Sequence, residues 1–221
     1  MDWFPLLNSL RIACLSTFLV FFAGLFAARW VTRLSPSPLK YVSDAFLTLT
    51  LVLPPPVIGW LILRCIGPGH MFGRWMWQLF RVRLVMTWQS AALASALVSF
   101  PLMYRTARTA FQRFDSGLSD VARTLGRSEM WIFWNIQVPI CRYGVISGTV
   151  LAFARALGEY GATSMAAGYI PARTATVSTA LYQCWSGGNE EGALFWVMLS
   201  VLLSGVCLIA VSVLEERQEG G

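Results

Sequence analysis

Two charged residues, Arg155 and Glu159, lie inside a long apolar segment and are the first candidates for chemistry. Because they are four residues apart, they share one face of a helix and can neutralise each other. A charge at the centre of a bilayer costs roughly 2.5–3.5 kcal/mol, so such residues are candidates for a substrate path. Gly158 and Gly161 flank Glu159 and permit a close helix approach or a break. A functional pair and a purely structural pair both fit this pattern.

The second candidate is the polar stretch 115–139, which carries arginines in an otherwise apolar sequence. A helical repeat of apolar residues predicts a short helix with one apolar face, formed by Leu118, Val121, Ala122 and Leu125. Gly126 can end that helix with a positive φ, and Ser128 can cap a second helix that has Glu129 in its first turn. We expect Pro139 to end the second helix at the membrane surface.

Few residues are available for other kinds of site. His70 is the only histidine, which argues against a histidine-based zinc site or a catalytic triad. Lys40 is the only lysine and follows Leu39, which excludes the GxxxxGK[ST] phosphate loop, so any ATP must be bound by another chain. The five cysteines show no close pairing, and we predict neither a disulfide framework nor a metal site.

The composition places the chain in a membrane. It has 221 residues, of which 56% are hydrophobic and only 13% charged. Its net charge of +6 does not indicate nucleic acid binding, because the arginines are scattered between apolar blocks. About 20 apolar residues cross a bilayer as a helix. The sequence predicts a single all-α membrane domain over 1–221, with five spans at about 10–31, 45–65, 85–107, 141–165 and 193–214.

Three prolines, 54 to 56, interrupt the second predicted span and should kink or unwind it. The positive-inside rule favours a cytoplasmic 105–142 loop, an N-terminus outside and a cytoplasmic C-terminus. The outer loop from Arg64 to Arg83 departs from that rule. The loop sequence predicts one of two structures. One is a segment that lies at the membrane interface with Trp75, Trp77 and Phe80, and the other is a positively charged entrance that attracts an anion or an acidic partner.

The 115–139 stretch resembles the cytoplasmic loop of the membrane subunits of ATP-binding-cassette (ABC) importers, whose pattern is E-A-A-x3-G-x9-I-x-L-P. This chain matches that spacing, with Asp in place of Glu and Val in place of the first Ala and of Leu, through Asp120, Val121, Ala122, Gly126, Ile136, Val138 and Pro139. The resemblance implies a type I importer permease fold in which this loop forms a coupling helix that docks on a separate ATPase. It implies that Asp120, Val121, Ala122, Gly126 and Arg127 receive the ATPase.

A second resemblance concerns the cargo. The segment LAFARALGEYGAT (151–163) is similar to the fourth-span signature of permeases for tetrahedral oxyanions. The stretch Ala167 to Tyr182 is closer to the molybdate branch than to the sulfate branch, although Tyr169 and Ala172 replace the usual Asn and Gly. The second-span motif LPPPVIG (53–59) is also similar to that branch.

The family resemblance implies a homodimer in the lipid of a bacterial inner membrane, a cytoplasmic ATPase dimer and an external oxyanion-binding protein. The chain itself is then neither an enzyme nor a cofactor-binding protein. The candidates for the substrate path are Arg155, Gly158, Glu159, Gly161, Pro55 and Pro56. Sulfate or tungstate are alternative cargoes, and a channel or a membrane-embedded enzyme using Arg155, Glu159 and His70 are alternatives from other classes.

Overall fold

The structure is a computed structural model that describes residues 2–67, 69–70, 73–74, 78 and 84–219. The regular elements of these residues are helices. They are α1 (Phe4–Arg33), α2 (Pro38–Val52), α3 (Pro55–Ile66), α4 (Trp88–Gln112), α5 (Ser116–Thr124), α6 (Glu129–Ile132), a π-helical turn (Phe133–Gln137), α7 (Val138–Ile140), α8 (Arg142–Leu157), α9 (Gly161–Ala166), α10 (Val177–Ser186) and α11 (Glu190–Glu219). The outer-loop residues Trp75, Trp77, Phe80, Arg81 and Arg83 lie outside the described residues.

Two of these helices, α1 and α11, are long and apolar enough by themselves to cross a membrane. Two bent pairs, α2 with α3 and Glu129–Ile140 with α8, raise that number to four if each pair counts as one span. Helix α4, at the third predicted span, has 25 residues and begins at Trp88 rather than at the predicted residue 85. It starts there because the Thr87 hydroxyl accepts a hydrogen bond from the Ser90 N–H and caps the first turn.

The prolines of the second predicted span break it as expected. Helix α2 ends at Val52, α3 begins at Pro55, and the two axes differ by 107°. Proline lacks a backbone N–H and its ring clashes with the preceding turn, so Pro54 cannot continue α2, whereas Pro55 is suited to the first turn of α3.

The prediction for Pro139 is wrong. Pro139 lies inside α7 and the chain turns only at Cys141, where the axis changes by 82° before α8. Two local features explain the difference. The π-helical turn immediately before α7 shifts the hydrogen-bond register, and Pro139 sits in the first turn of α7, where its missing N–H costs little.

Helix α4 is the centre of the packing, with α1 and α8 against it. Its buried residues are mostly alanine and serine, which allow helices to approach closely in a membrane. The Ser16 hydroxyl of α1 donates to the Ala92 carbonyl of α4 at 2.8 Å, so a polar contact joins the two helices. Helix α11 packs on α8 and α10, yet only 6% of its most apolar 18-residue stretch is buried within this chain.

Candidate functional site

The coupling-loop candidates lie on α5 and the turn that follows it. Asp115 caps α5 by accepting from the Gly117 N–H at 2.9 Å, and Gly126 takes a φ of +73°. The Gly126 N–H donates to Arg123 O at 2.9 Å and the Arg127 N–H to Ala122 O at 3.1 Å, so the helix closes in a glycine turn. The Ser128 hydroxyl then accepts from the Trp131 N–H and starts α6. The predicted helix, glycine turn and second helix are confirmed.

The apolar face of α5 is largely uncovered. Leu118, Val121 and Leu125 are 44%, 61% and 74% exposed, whereas Ala122 is buried. Asp120 forms an ion pair with Arg123 on the same helix. Arg127 lies over the Trp131 ring, with 4.6 Å from its guanidinium carbon to the ring centroid. The loop therefore presents an exposed apolar ridge bordered by charged groups.

Charged side chains also fasten this loop to α1. Arg29, Arg33 and Arg123 all reach Glu129, and we call these four residues the arginine joint. Hydrogen bonds from Arg123 and Arg33 and their positive charge lower the pKa of the Glu129 carboxyl to about 2. The same contact with Glu129 raises the pKa of the Arg123 guanidinium. Both groups are therefore charged throughout the neutral range.

The path candidates Pro55, Pro56 and Gly161 meet where α9 crosses the start of α3. A Cβ added at Gly161 would lie 2.9 Å from the Pro55 Cβ and 3.0 Å from the Pro56 Cδ. One helical turn further along α3, a Cβ at Gly59 would lie 2.8 Å from the Ala162 carbonyl oxygen. We call this contact of Gly59 and Gly161 with the opposing backbone and prolines the glycine crossing.

The Arg155–Glu159 pair lies next to the glycine crossing. Arg155 Nη1 and Glu159 Oε2 are 2.7 Å apart, and the Glu159 side chain is almost fully buried while that of Arg155 is 34% exposed. Glu159 Oε1 also accepts from the Ala162 N–H at 2.7 Å. Helix α8 ends at Leu157 and α9 starts at Gly161, so the predicted break at the glycines is present. Glu159 therefore balances a charge and caps the helix after the break.

A groove of about 910 Å³ opens beside this break and is lined by Gly158 and Tyr160. Tyr182 and Trp185 of α10 lie along it, with ring centroids 5.4 Å apart for Tyr160 and Tyr182 and 5.9 Å for Tyr182 and Trp185. Trp185 is 67% exposed. The remaining path candidate, Gly158, thus faces an open aromatic surface rather than the glycine crossing.

Side-chain hydrogen bonds hold the loop between α9 and α10. Thr174 accepts from the Ile170 N–H at 2.9 Å and donates to the Gly168 carbonyl at 3.2 Å. Thr176 caps α10 through Thr179. Ala172 takes a φ of +55°, a left-handed conformation that costs a residue with a Cβ about 1–2 kcal/mol. Position 172 thus suits the glycine that the molybdate branch usually has there.

Comparison with known proteins decides the family. The family described as binding-protein-dependent transport system inner membrane component matches residues 21–218. The chain belongs to this family. It is therefore a permease subunit of the ABC importer class, and the resemblance of the 115–139 loop is confirmed at the level of the family.

The permease is 37% identical over 209 residues to the molybdenum transport system permease protein ModB of Escherichia coli (strain K12). The matched residues cover 94% of this chain and 91% of that protein. It is 35% identical over 207 residues to the putative molybdenum transport system permease protein YvgM of Bacillus subtilis (strain 168), with the same coverage. The sulfate transport system permease protein CysW of Synechocystis sp. is 28% identical over 88% of this chain and 70% of that protein.

The fold of the permease is that of type I ABC importer permeases. A crystal structure of the MetNI methionine ABC transporter in an inward-facing conformation superimposes with a TM-score of 0.73, over 98% of this chain and 97% of that chain. The two sequences are 16% identical, so the likeness concerns the fold alone. The predicted all-α membrane fold is confirmed.

Sequence reasoning missed two polar clusters in the permease. One is the arginine joint, since the sequence suggested only a helix-dipole role for Glu129. The other is at Asp44 of α2, which accepts from the Tyr104 hydroxyl at 2.7 Å and pairs with Arg108 of α4. A lone acid at the edge of an apolar segment was the available signal for Asp44.

Proposed function

We propose that this permease forms the membrane-spanning part of an ABC importer for molybdate. The observation that carries the proposal is the 37% identity to ModB over nearly the whole of both chains, against 28% to the sulfate protein. The loop of Gly168, Thr174 and Thr176 supports it, because its sequence is closer to the molybdate branch than to the sulfate branch. Sulfate and tungstate are also tetrahedral oxyanions and remain the alternative cargoes.

The energy for transport comes from a cytoplasmic ATPase dimer that binds the ATP, and the permease itself holds no cofactor. In this proposal α5 docks into the ATPase through its exposed ridge, which includes Val121. Ala122 anchors α5 to the loop, Gly126 makes the turn, and Asp120 and Arg127 border the contact. The area left uncovered on Leu118, Val121 and Leu125 supports this role, since exposed apolar patches commonly mark partner surfaces.

The substrate, delivered by an external binding protein, crosses between two copies of the permease. The exposed aromatic surface of Tyr160, Tyr182 and Trp185 supports a second copy beside Gly158. The other path candidates are at the glycine crossing, where Gly161 meets Pro55 and Pro56, and at the helix break beside it, where Arg155 pairs with Glu159. Because Glu159 balances the charge of Arg155, the ion pair carries no net charge, which suits the passage of an anion better than tight binding.

The permease is proposed to sit in the bacterial inner membrane with its N-terminus outside and its C-terminus in the cytoplasm. The contacts of Arg29 and Arg33 with Glu129 support a common side for the first loop and the coupling loop. Asp2 and Glu191 line one small groove, which supports a common opposite side for the N-terminus and the start of α11. Arginines then concentrate in the cytoplasm, as the positive-inside rule requires.

Uptake of radiolabelled molybdate into vesicles that carry the permease, its ATPase and its binding protein tests the proposal. We expect uptake that needs ATP, with tungstate and sulfate added separately as competitors to rank the cargo. Preferential uptake of sulfate would overturn the molybdate assignment. Uptake that continues without ATP would indicate a channel, and chemical turnover by the isolated chain would indicate an enzyme.

A further inference from the structure

The arginine joint links three separate parts of the chain through one carboxylate. Glu129 Oε1 is 2.5 Å from Arg123 Nε of α5, and Glu129 Oε2 pairs with Arg33 of α1. Arg29 Nη2, also of α1, lies 3.7 Å from Oε2. A single side chain in the first turn of α6 therefore contacts both the coupling helix and the first membrane helix.

Arg29 ties α1 to the start of α6 by further contacts. Arg29 is only 8% exposed, and its Nη2 donates to the Glu129 carbonyl at 2.6 Å. The guanidinium carbon lies 4.4 Å from the centroid of the Phe133 ring. Phe26 of α1 packs against Phe133 and Trp134, with centroids 5.9 and 6.1 Å apart. The junction of α1 with α6 and the π-helical turn is therefore a packed, partly buried contact.

Helix α5, in contrast, is weakly packed. Its buried residues are Ser119 and Ala122, and its contacts are with α6 and the π-helical turn. Besides these packing contacts, the backbone through Gly126 and the side-chain bridge from Arg123 to Glu129 connect α5 to α6. A glycine turn resists bending poorly, because glycine has the widest choice of backbone conformations. The Arg123–Glu129 bridge spans this turn and adds a side-chain link to its backbone hydrogen bonds.

We infer that Glu129 is a positioning residue that locks the coupling helix α5 to the inner end of α1, so that movement of α5 is passed to the first membrane helix. The covalent chain leads from α5 back to α4, through residues 113–115, and forward to α8, through α6, the π-helical turn and α7. The bridge adds α1, which packs on both α4 and α8. This inference rests on the proposed function, since it gives the bridge its purpose in a transporter driven from α5.

The test compares Glu129→Gln with the wild type, and uses Glu216→Gln, which changes an exposed glutamate near the end of α11, as the matched control. Hydrogen–deuterium exchange of the permease in detergent measures the link without any transport. We expect exchange of the 116–127 amides to become about three-fold faster in Glu129→Gln, because the ion pair that spans the turn is lost. The control should leave exchange of these amides unchanged.

The second arm measures molybdate uptake and ATP hydrolysis together in vesicles of the complete transporter. We expect uptake per ATP hydrolysed to fall about five-fold in Glu129→Gln while hydrolysis continues. Arg123→Gln cuts the α5 side of the bridge and leaves Arg33 on Glu129, so it should give the same loss if Glu129→Gln fails to fold.

Unchanged exchange in both variants would overturn the inference, as would faster exchange with an unchanged ratio of uptake to hydrolysis. If the wild type transports another oxyanion, the cargo of the proposed function is wrong, and the same ratio is then measured with that anion. The exchange arm thereby separates a failure of the link from a failure of the proposed function.

Discussion

The arginine joint and the glycine crossing both connect separate helices of the permease, but different forces hold them. At the joint, long side chains converge on the exposed carboxylate of Glu129. At the crossing, Gly59 and Gly161 bring backbone and proline rings to separations that leave no space for a methyl group. Ion pairs of flexible side chains survive small displacements, whereas close-packed backbones do not. The helices at the joint can therefore shift slightly relative to one another while the ion pairs persist. At the crossing, α3 and α9 must move together as one rigid unit.

The largest expected effect comes from filling the glycine crossing. In Gly59→Leu the new side chain would meet the Met165 Cβ at 2.6 Å and the Ala162 carbonyl oxygen at 2.8 Å. We expect a loss of about 3 kcal/mol in the free energy of unfolding, the upper end of the usual range for overpacking, because neither neighbour can move without moving α9. Thermal unfolding in detergent measures it.

Gly205→Leu is the matched control, since nothing lies within 4 Å of a Cβ at Gly205 on α11. It should unfold at close to the wild-type temperature. Equal stability of Gly59→Leu and Gly205→Leu would show that close packing does not hold the crossing together.

The next effect is at Glu159, which forms an ion pair with Arg155 next to the crossing. Glu159→Gln retains an acceptor for the Ala162 N–H but loses the charge that faces Arg155. We expect a loss of about 1.5–3 kcal/mol, the range for a hydrogen bond to a charged group. Adding Arg155→Gln should restore most of the melting temperature.

Uptake by the Arg155→Gln, Glu159→Gln double variant then separates the two roles of this pair. Restored stability with restored uptake means a structural pair. Restored stability without uptake means that the charges serve the substrate path.

Gly126→Trp probes the glycine turn that the Arg123–Glu129 pair of the joint spans. We expect the protein to insert normally, since a Cβ at Gly126 meets nothing within 4 Å, and to lose about 1–2 kcal/mol from the left-handed φ. Transport should uncouple from ATP hydrolysis because α5 is misplaced.

Gly188→Trp provides the comparison for Gly126→Trp, since Gly188 has a φ of +74° and the same open surroundings. The two variants should be equally destabilised, and only Gly126→Trp should hydrolyse ATP without uptake. Normal ATP-driven uptake by Gly126→Trp would contradict the role of the turn.

The smallest effect is the pH dependence of the joint. The pKa of Glu129 is lowered from 4.5 to about 2, so its ion pairs contribute fully above pH 4.5 and are lost as the pH falls through about 2. The difference in melting temperature between the wild type and Glu129→Gln should stay constant from neutral pH to pH 4.5 and shrink below it. Because Glu129 is exposed, the difference should be small. A difference that shrinks above pH 5 would show that the carboxylate is not held by arginines.

The sequence predicted the parts that depend on local rules. Proline chemistry gave the break before Pro55, and glycine with a serine cap gave the turn at Gly126. The spacing of the 115–139 loop identified the family. These features are set by residues within a few positions of one another, which is why they can be predicted without a structure.

The contacts that depend on distant residues could not be predicted in this way. Arg33 and Glu129 are 96 positions apart, and Asp44 and Arg108 are 64 apart. Nothing local to Glu129 indicates Arg29 and Arg33 as partners, and the glycine crossing needs Gly59 and Gly161 to face each other's helices. The error at Pro139 has another cause, since a π-helical turn leaves no clear sequence signal beside a proline.

The bend at Pro54 also bears on the membrane around the permease. Helices of 15 and 12 residues measure about 22 and 18 Å, and with their axes 107° apart the pair reaches about 24 Å from end to end. The hydrocarbon layer is about 30 Å thick, so this pair, if it counts as one span, is shorter than the lipid beside it. Thinning of the bilayer relieves such a mismatch. The length of the lipid acyl chains should therefore set how readily α2 and α3 are accommodated, and the rate of transport should respond to it.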